Sequence, residues 1–281
     1  RPPRSTLFPY TTLFRSVVGD RVEYEQPEGA TGVVTKILPR RNYIIRRASN
    51  LSKESHIIAA NVDQAFLVVS LFLPSTNCEF IDRFLVTAEA YRIPVTLLLN
   101  KCDLYATDAL QDAQTEFLKI YRSAGYEVIE LSATQQTGID AFKKMLPGKT
   151  SLLSGNSGVG KSTLIRAIDP SLDIRIGAVS ASSSKGKHTT TFSEMYPLAG
   201  GGYLIDTPGI KGFGLIDIEN DEICRYFPDL FRYAPRCGYY NCTHTHEPAC
   251  AVREALRAGE IGLSRYESYL KLLDDDQKYR K

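Results

Sequence analysis

The spacing of hydrophobic positions along the chain changes at about residue 61. Before it, the short β-prone runs Arg21-Val-Glu-Tyr24, Gly32-Val-Val-Thr-Lys-Ile37 and Tyr43-Ile-Ile-Arg46 are broken by turn residues and predict a small β unit. After it, Ala65-Phe-Leu-Val-Val-Ser-Leu-Phe72 and Val95-Thr-Leu-Leu-Leu99 are continuous apolar runs, as in parallel strands covered on both faces. Glu127-Val-Ile-Glu-Leu131 reads as a third strand. Phe80, Ile81, Phe84, Leu85 and Ala88 lie between the first two runs at helical spacing, and a second helix is expected from about Leu110 to Tyr121. A helix and short connector over Ala141 to Lys149 lead to a buried strand at Ser151-Leu-Leu-Ser154. Leu164, Ile165 and Ile168 mark the buried face of the next helix, and Gly202-Tyr-Leu-Ile-Asp206 is another short strand. Strand alternating with helix predicts a doubly wound α/β sheet, with ligands at the C-terminal ends of its strands. Near the C-terminus, Ser264-Arg-Tyr-Glu267 reads as a capping box opening a helix through Tyr269, Leu270, Leu272 and Leu273.

Composition adds little for most of the chain and much for its beginning. With 43% hydrophobic and 23% charged residues among 281, the chain has the balance of an ordinary globular protein. No apolar run approaches the roughly 20 residues of a membrane span, and nothing resembles a secretory signal, so a cytoplasmic protein with no membrane partner is expected. Residues 1–16 contain Thr6-Leu-Phe-Pro-Tyr-Thr-Thr-Leu-Phe-Arg-Ser16, which resembles the translation of a common sequencing adapter and is set aside from fold reasoning. That segment holds Arg1, Arg4 and Arg15 and no acid, so setting it aside turns the formal charge of +2 into −1 for the remainder. The basic pI of 8.2 therefore says little about nucleic acid, and local patches must carry that argument. One such patch is Arg40, Arg41, Arg46 and Arg47 around Tyr43, which suits phosphates and a stacked base, or else a solvated strand edge.

The chemistry lies where strands end. Gly155, Asn156, Ser157, Gly158, Val159, Gly160, Lys161, Ser162 and Thr163 in succession fit G-x-x-x-x-G-K-[ST], between a strand and a helix. Glycines there let backbone N–H groups face phosphates at a helix N-terminus. Lys161 would reach the β- and γ-phosphates, and the Ser162 hydroxyl would ligate Mg²⁺. Upstream, Asn100, Lys101, Cys102 and Asp103 follow the second strand as N-K-x-D. A carboxylate at Asp103 can accept both donors of a guanine edge, and adenine offers no such pair. Ser132 and Ala133, after the third strand, match the S-A loop that supports the same base. Downstream, Asp206-Thr-Pro-Gly209 fits D-x-x-G, with Asp206 near Mg²⁺ and the Gly209 N–H on the γ-phosphate. The order is permuted: the guanine loops precede the phosphate loop, a rearrangement that keeps each loop at its own strand end.

Between the phosphate helix and that last strand, the small polar stretch Ser180 to Thr191 predicts a mobile switch. One of its threonines, taken as Thr190, would sense Mg²⁺ and the γ-phosphate. Ile210 stands where a water-orienting glutamine would be, and His188 is the polar candidate on the opposing loop, against the plainer reading of a solvated histidine. Farther on, Cys237-x₄-Cys242-x-His244-x₅-Cys250 suits a closed structural Zn²⁺ site, with His246 competing for the imidazole position. The six cysteines show no disulfide framework.

Together these residues resemble the circularly permuted small ribosomal subunit biogenesis GTPases of the RsgA (YjeQ) type. The resemblance spans Val17 to Lys281 and includes Ile58-Ala-Ala-Asn-Val-Asp63, Gly186-Lys-His-Thr-Thr-Thr191 and Cys242-Thr-His-Thr-His-Glu-Pro-Ala-Cys-Ala-Val252. It implies a partial N-terminal OB-fold (17–60), an α/β P-loop GTPase domain (61–218) and an α-helical zinc-binding domain (219–281). It also implies a slow GTPase stimulated by the small subunit and binding its rRNA, with GTP cleaved to GDP and phosphate to time release; a monomer is expected. The water-positioning role falls on His188, and the zinc ligands on Cys237, Cys242, His244 and Cys250. The opening strands of the barrel are absent or replaced by the adapter-like segment, so an open barrel is expected. Two other readings stand beside this one: an RNA-binding factor in which GTP only tunes affinity, and an ATP-using P-loop kinase or ATPase, against which Asp103 argues.

Overall fold

The computed structural model describes residues 16–26, 32–47, 55–172, 193–207 and 218–279. His188, Thr190, Gly209 and Ile210, and all but the last residue of the adapter-like segment, lie outside the described residues.

The β-prone runs of the N-terminal part form two separate antiparallel pairs. Strand β1 (Val22–Glu25) pairs with β2 (Val33–Ile37), and β3 (Tyr43–Arg47) pairs with β4 (Ser55–Ala60). No closed barrel joins them among the described residues. The second pair is anchored, with Ile44 and Ala59 fully buried in the main core. The first leaves Tyr24, Val33 and Val34 exposed.

The sequence then alternates as expected: β5 (Gln64–Val69), α1 (Cys78–Ala90), β6 (Val95–Leu99), α2 (Asp108–Ser123), β7 (Glu127–Glu130), α3 (Ile139–Lys143), β8 (Thr150–Gly155) and α4 (Lys161–Ile168). Two strands complete the sheet, β9 (Glu194–Pro197) and β10 (Tyr203–Asp206), in the order β7-β6-β5-β8-β10-β9. All neighbours are parallel except β9, which runs antiparallel to β10 at the edge. Since side chains alternate faces along a strand, the unbroken apolar run of β5 serves two layers. Ala65, Leu67 and Val69 face α1 and α2, and Phe66 and Val68 face α3 and α4. All six β5 residues are buried, as a strand covered on both sides requires.

Helix α1 is also covered twice. Ile81, Phe84, Leu85 and Ala88 lie on the sheet, and Val86 and Ala90 join a third cluster with Phe227, Leu230, Val252 and Tyr269. That cluster belongs to the C-terminal part, α5 (Pro228–Phe231), α6 (Ala251–Arg257) and α7 (Leu263–Tyr279).

Three local expectations are corrected. The third helix begins at Ile139, two residues before Ala141, because Gly138 in the left-handed region (φ 73) turns the chain into it. The capping box at Ser264 does not form. Leu263 already lies in α7, and the Gly262 carbonyl accepts the N–H groups of Arg265 and Tyr266. The arginines around Tyr43 are not simply a solvated or RNA-facing edge. Arg40 makes a bidentate pair with Asp20 (2.6 and 2.8 Å), Arg41 reaches Asp63 (2.6 Å), and the Tyr43 ring rests 4.7 Å from that of Tyr91 on the α1 side. Arg40 and Arg41 bind the small β unit internally and to the sheet; the side chains of Arg46 and Arg47 lie outside the described set.

Candidate functional site

Strands β5, β6, β7, β8 and β10 deliver their C-terminal ends to one edge of the sheet, and the singled-out loops meet there. The chain runs outward through β5, β6 and β7 and then crosses to β8 on the other side of β5. The crevice between β5 and β8 is thus the topological switch point where ligands bind in such sheets.

Gly155 closes β8 and opens the phosphate loop, which ends at Gly160, the residue that caps α4. Two glycines are required by geometry. Gly155 has φ 148, and a Cβ there would sit 2.4 Å from the Val68 carbonyl oxygen. Gly160 has φ 102, and its Cβ would meet the Asn100 side-chain nitrogen at 2.3 Å. Ser157, Gly158 and Thr163 are exposed at the rim; Asn156, Gly160 and Ser162 are half-buried, and Val159 is buried in the core beneath. Lys161 folds back over the loop and donates to the carbonyls of Gly155 (2.7 Å) and Asn156 (2.9 Å). Burial lowers its pKa, with the charge of Asp206 opposing.

Asn100 is the joint of the site. Its Nδ2 donates to the Val159 carbonyl (2.8 Å) and its Oδ1 accepts from the Ala133 N–H (3.1 Å), so one amide holds the phosphate loop and the S-A loop together. Lys101 adopts a left-handed conformation (φ 67) and donates to the Gly158 carbonyl (2.8 Å) and to that of Leu73. Cys102 turns its Sγ to the Leu99 carbonyl (3.2 Å), away from the crevice, and its N–H donates to Leu131. Asp103 accepts from the Thr134 hydroxyl at 3.4 Å through Oδ2, while its Oδ1 is buried without a hydrogen-bond partner. Ser132 is fully buried, its Oγ accepting from the Gln135 N–H (3.1 Å) and bonding Thr134 (3.0 Å), which shapes the loop under Ala133.

On the other side, Asp206 ends β10 with Oδ1 buried and unpartnered. Burial pushes its carboxyl up to about 6, with Lys161 opposing and Glu194 adding to the rise. An orphaned carboxylate oxygen near a phosphate loop fits a cation, since a hard Mg²⁺ takes oxygen ligands. Ser162 sits in the first turn of α4 on the same edge.

A second constellation lies in the C-terminal part. One ligand atom each of Cys237, Cys242, His244 and Cys250 falls within 4.8 Å of all the others. Cys237 Sγ is 3.5 Å from His244 Nδ1 and 4.0 Å from Cys250 Sγ, and Cys250 Sγ is 3.6 Å from the same nitrogen. Four donors about 2.0–2.3 Å from one centre in a tetrahedron lie about 3.5–3.8 Å apart, so the cluster can hold a metal ion. His246 is not in it; it is exposed, with its Nδ1 on the Thr245 hydroxyl (2.8 Å). Burial keeps the His244 pKa low and the imidazole neutral, as a ligand must be. The turn is shaped by Glu247, which accepts from the N–H groups of Thr243 (2.7 Å), Thr245 (3.1 Å) and His246 (3.2 Å). Burial opposes ionisation there, yet these bonds and the Thr243 hydroxyl bring the Glu247 carboxyl down to about 2. Tyr266 and Tyr269 of α7 donate to the carbonyls of His244 (2.6 Å) and Thr243 (2.8 Å).

Sequence reasoning missed Arg265 and Tyr105. Arg265 is wholly buried, donating to Asp82 on α1 (2.7 Å) and to Asp229 on α5 (2.8 and 3.1 Å), and ties the C-terminal part to the sheet domain. Tyr105 is buried two residues beyond Asp103. Neither belongs to a nucleotide or metal motif, and only the tertiary contacts reveal their roles.

A phosphate loop that follows, rather than precedes, the guanine-type loops on the neighbouring strand ends defines a P-loop GTPase of permuted order. Comparison with known proteins gives the same class. The family model described as RsgA GTPase matches residues 37–216. The chain is 53% identical over 265 residues to the small ribosomal subunit biogenesis GTPase RsgA 2 of Bacteroides thetaiotaomicron, covering 94% of this chain and 85% of the relative. It is 50% identical over 268 residues to the small ribosomal subunit biogenesis GTPase RsgA of Christiangramia forsetii, covering 94% and 84%. Among solved structures, YjeQ from Thermotoga maritima matches with a TM-score of 0.75 at 37% identity, over 93% of this chain and 84% of that one. YloQ, described as a circularly permuted GTPase, matches with a TM-score of 0.72 at 31% identity, over 99% and 84%. The chain belongs to the RsgA GTPase family and is a GTP-hydrolysing enzyme.

Proposed function

We propose that this chain binds GTP at the edge formed by β5, β6, β7, β8 and β10, hydrolyses it to GDP and phosphate, and acts in biogenesis of the small ribosomal subunit. The observation that carries the reading is the double hydrogen bond of Asn100 to Val159 and Ala133, which sets the guanine loops and the phosphate loop as one unit. In this reading Asp103 accepts the N1–H and amino group of guanine, which would satisfy its unpartnered oxygen. Lys101 covers the base, Cys102 only completes the turn, and Ser132 and Ala133 support the far edge. The backbone from Gly155 to Gly160 cradles the phosphates. Lys161 leaves the loop carbonyls for the β- and γ-phosphates, and Thr163 extends the first turn of α4. Ser162, Thr190 and Asp206 would hold Mg²⁺, which when bound neutralises charge on the phosphates. Gly209 would donate to the γ-phosphate, and His188 would orient the attacking water.

The Cys237, Cys242, His244 and Cys250 cluster takes one structural Zn²⁺, its chemistry being that of a closed thiolate-rich site with no position for substrate. Residues 17–60 act as a partial OB-fold and residues 219–281 as the zinc-binding domain flanking the GTPase domain of 61–218. The names of the relatives favour the small ribosomal subunit as the partner; the proposal adds that the chain binds the rRNA of that subunit as a cytoplasmic monomer. Among the described residues no helix is long and apolar enough to cross a membrane.

The test is steady-state GTP hydrolysis by the purified chain alone and with saturating small subunits, with ATP as competitor. A rise in turnover on adding subunits, and no competition by ATP, is the expected result. Equal rates with and without subunits would remove the ribosomal part of the proposal.

A further inference from the structure

The segment between β5 and α1, residues 70–76, belongs to none of the nucleotide motifs, yet it forms part of the wall of the site. It closes on itself: the Thr76 N–H donates to the Ser70 carbonyl (2.7 Å), the Ser70 N–H to the Thr76 hydroxyl (3.1 Å), and the Ser70 hydroxyl to the Phe72 carbonyl (2.7 Å). Its tip meets the nucleotide loops twice. The Leu73 carbonyl accepts from Lys101, the residue that also grips Gly158, and the Pro74 ring lies where a Cβ on Gly158 would touch it at 3.4 Å.

Tyr105 is the tie between this segment and the guanine loop. Its hydroxyl donates to the Asn100 carbonyl (2.8 Å) and accepts from the Leu71 N–H (2.9 Å), with the Ser70 hydroxyl at 3.4 Å. The ring is only 4% exposed and packs in the main core with Leu99 and Phe117. One hydroxyl therefore connects the end of β6 to the end of β5. The connection runs on through Leu73 to the Lys101 ammonium, holding that side chain in a left-handed backbone geometry that a non-glycine residue adopts at a cost.

We infer that Tyr105 is a positioning residue for guanine-nucleotide binding, acting through the segment 70–76 and the Lys101 side chain. The inference rests on the guanine-site reading above. Without the hydroxyl, Leu71 and the Asn100 carbonyl lose their common partner, the Leu73 carbonyl is released, and Lys101 keeps only Gly158. The base then loses a preorganised cover, and binding weakens while the γ-phosphate end is untouched.

The experiment uses the full chain carrying Tyr105→Phe, Lys101→Ala, both together, and separately Asp103→Asn. For Tyr105→Phe, the KM for GTP should rise about tenfold and GDP should dissociate correspondingly faster, the worth of one lost hydrogen bond. Its kcat should stay at the parent value, while its nucleotide-free melting temperature should fall by a few degrees, because the Leu71 N–H and the Asn100 carbonyl lose their partner in the free protein too. The double variant should be no worse than Lys101→Ala alone, because both act on one side chain. Unchanged KM, additive effects in the double variant, or a loss of kcat as large as the rise in KM would each overturn the inference. Asp103→Asn should shift base preference from guanine toward xanthine nucleotides. If that shift is absent, the guanine-site reading itself fails, whatever Tyr105→Phe does.

Discussion

Replacing Arg265 by methionine tests how the C-terminal part is held to the GTPase domain. The guanidinium is fully buried between Asp82 and Asp229, with the Phe227 ring 4.6 Å from its centre and the Tyr126 ring at 5.6 Å. Tyr121 adds a hydroxyl donor to Asp82 at 3.1 Å. Two carboxylates share one cation, and burial pushes the Asp82 carboxyl up against the opposing pull of Arg265. Methionine fills much of the arginine stem's space without charge, leaving two buried carboxylates and no counter-ion. Breaking a buried pair from one side costs about 3–5 kcal/mol. An exposed pair such as Lys36 with Glu23 is worth about 0–1 kcal/mol. Against a domain stability of about 5–15 kcal/mol, the first figure is decisive and the second is not.

The assay is urea unfolding followed by far-UV circular dichroism and tyrosine emission. The chain has 16 tyrosines and no tryptophan, and Tyr121, Tyr126 and Tyr269 surround this cluster or its neighbour Phe227. With an m value of about 3 kcal/mol/M, the midpoint should fall by about 1–1.7 M. Adding Asp82→Asn and Asp229→Asn to Arg265→Met should restore a large part of the loss, because uncompensated charge is its cause. A loss under about 1 kcal/mol for the single variant, or no recovery in the triple variant, would refute the reasoning.

Three further outcomes follow from the geometry. Gly160→Ala places a methyl 2.3 Å from the Asn100 amide nitrogen at a positive φ, and should weaken GTP binding about a hundredfold through strain and the broken Asn100–Val159 bond; calorimetric binding of a non-hydrolysable GTP analogue within threefold of the parent would contradict this. Elemental analysis should find one zinc per chain, with Cys250→Ser or a strong chelator abolishing it and lowering the melting temperature; a metal-free chain melting with the parent would remove the metal from the fold. Asp63 accepts from the Thr150 N–H (2.8 Å) and from Arg41 (2.6 Å), which, against the opposing effect of burial, hold its carboxyl below the ordinary value. A depressed folded-state pKa gives stability that is present above the unfolded value near 3.9 and lost as pH falls through the folded one. Asp63→Asn should therefore be less stable than the parent at pH 7, and the two melting curves should converge as pH falls through the folded-state value of Asp63; a gap that persists once the carboxyl is protonated in both states would exclude the ionised carboxylate as its source.

The GTPase half was readable because its signals are local. The continuous run of β5 and the helical spacing of α1 follow from burial on two faces and on one stripe, and strand ends put Asn100, Ser132, Gly155 and Asp206 on one edge before any coordinates are consulted. The start of α3 and the failed capping box turn on a neighbouring glycine, whereas the misread arginines share another cause: the deciding partner is distant in sequence. Arg265 lies 183 positions from Asp82, and in its own segment it reads only as one letter of a capping box. Arg40 and Arg41 read as free cations because Asp20 and Asp63 each stand 20 or more positions away. The edge strand β9 has four residues and no alternation strong enough to mark it; it exists because β10 offers an unpaired side. For the metal cluster, spacing gave the set of ligands, and the choice between His244 and His246 needed the fold of the turn around Glu247.

The strand order also has a consequence for how the protein is made. Strand β5 opens the sheet in sequence but stands at its centre, and its partner β8 begins 86 residues later, at Thr150. During synthesis β5, β6 and β7 can pair as soon as they emerge, while the other side of β5 keeps a bare row of backbone donors and acceptors. At about 5–20 residues per second, that edge waits roughly 4–17 seconds for β8 to be translated. An unpaired strand edge is a template for aberrant pairing, so the nascent first half is open to aggregation until β8 arrives, and that exposure ends with the strand whose last residue, Gly155, opens the phosphate loop.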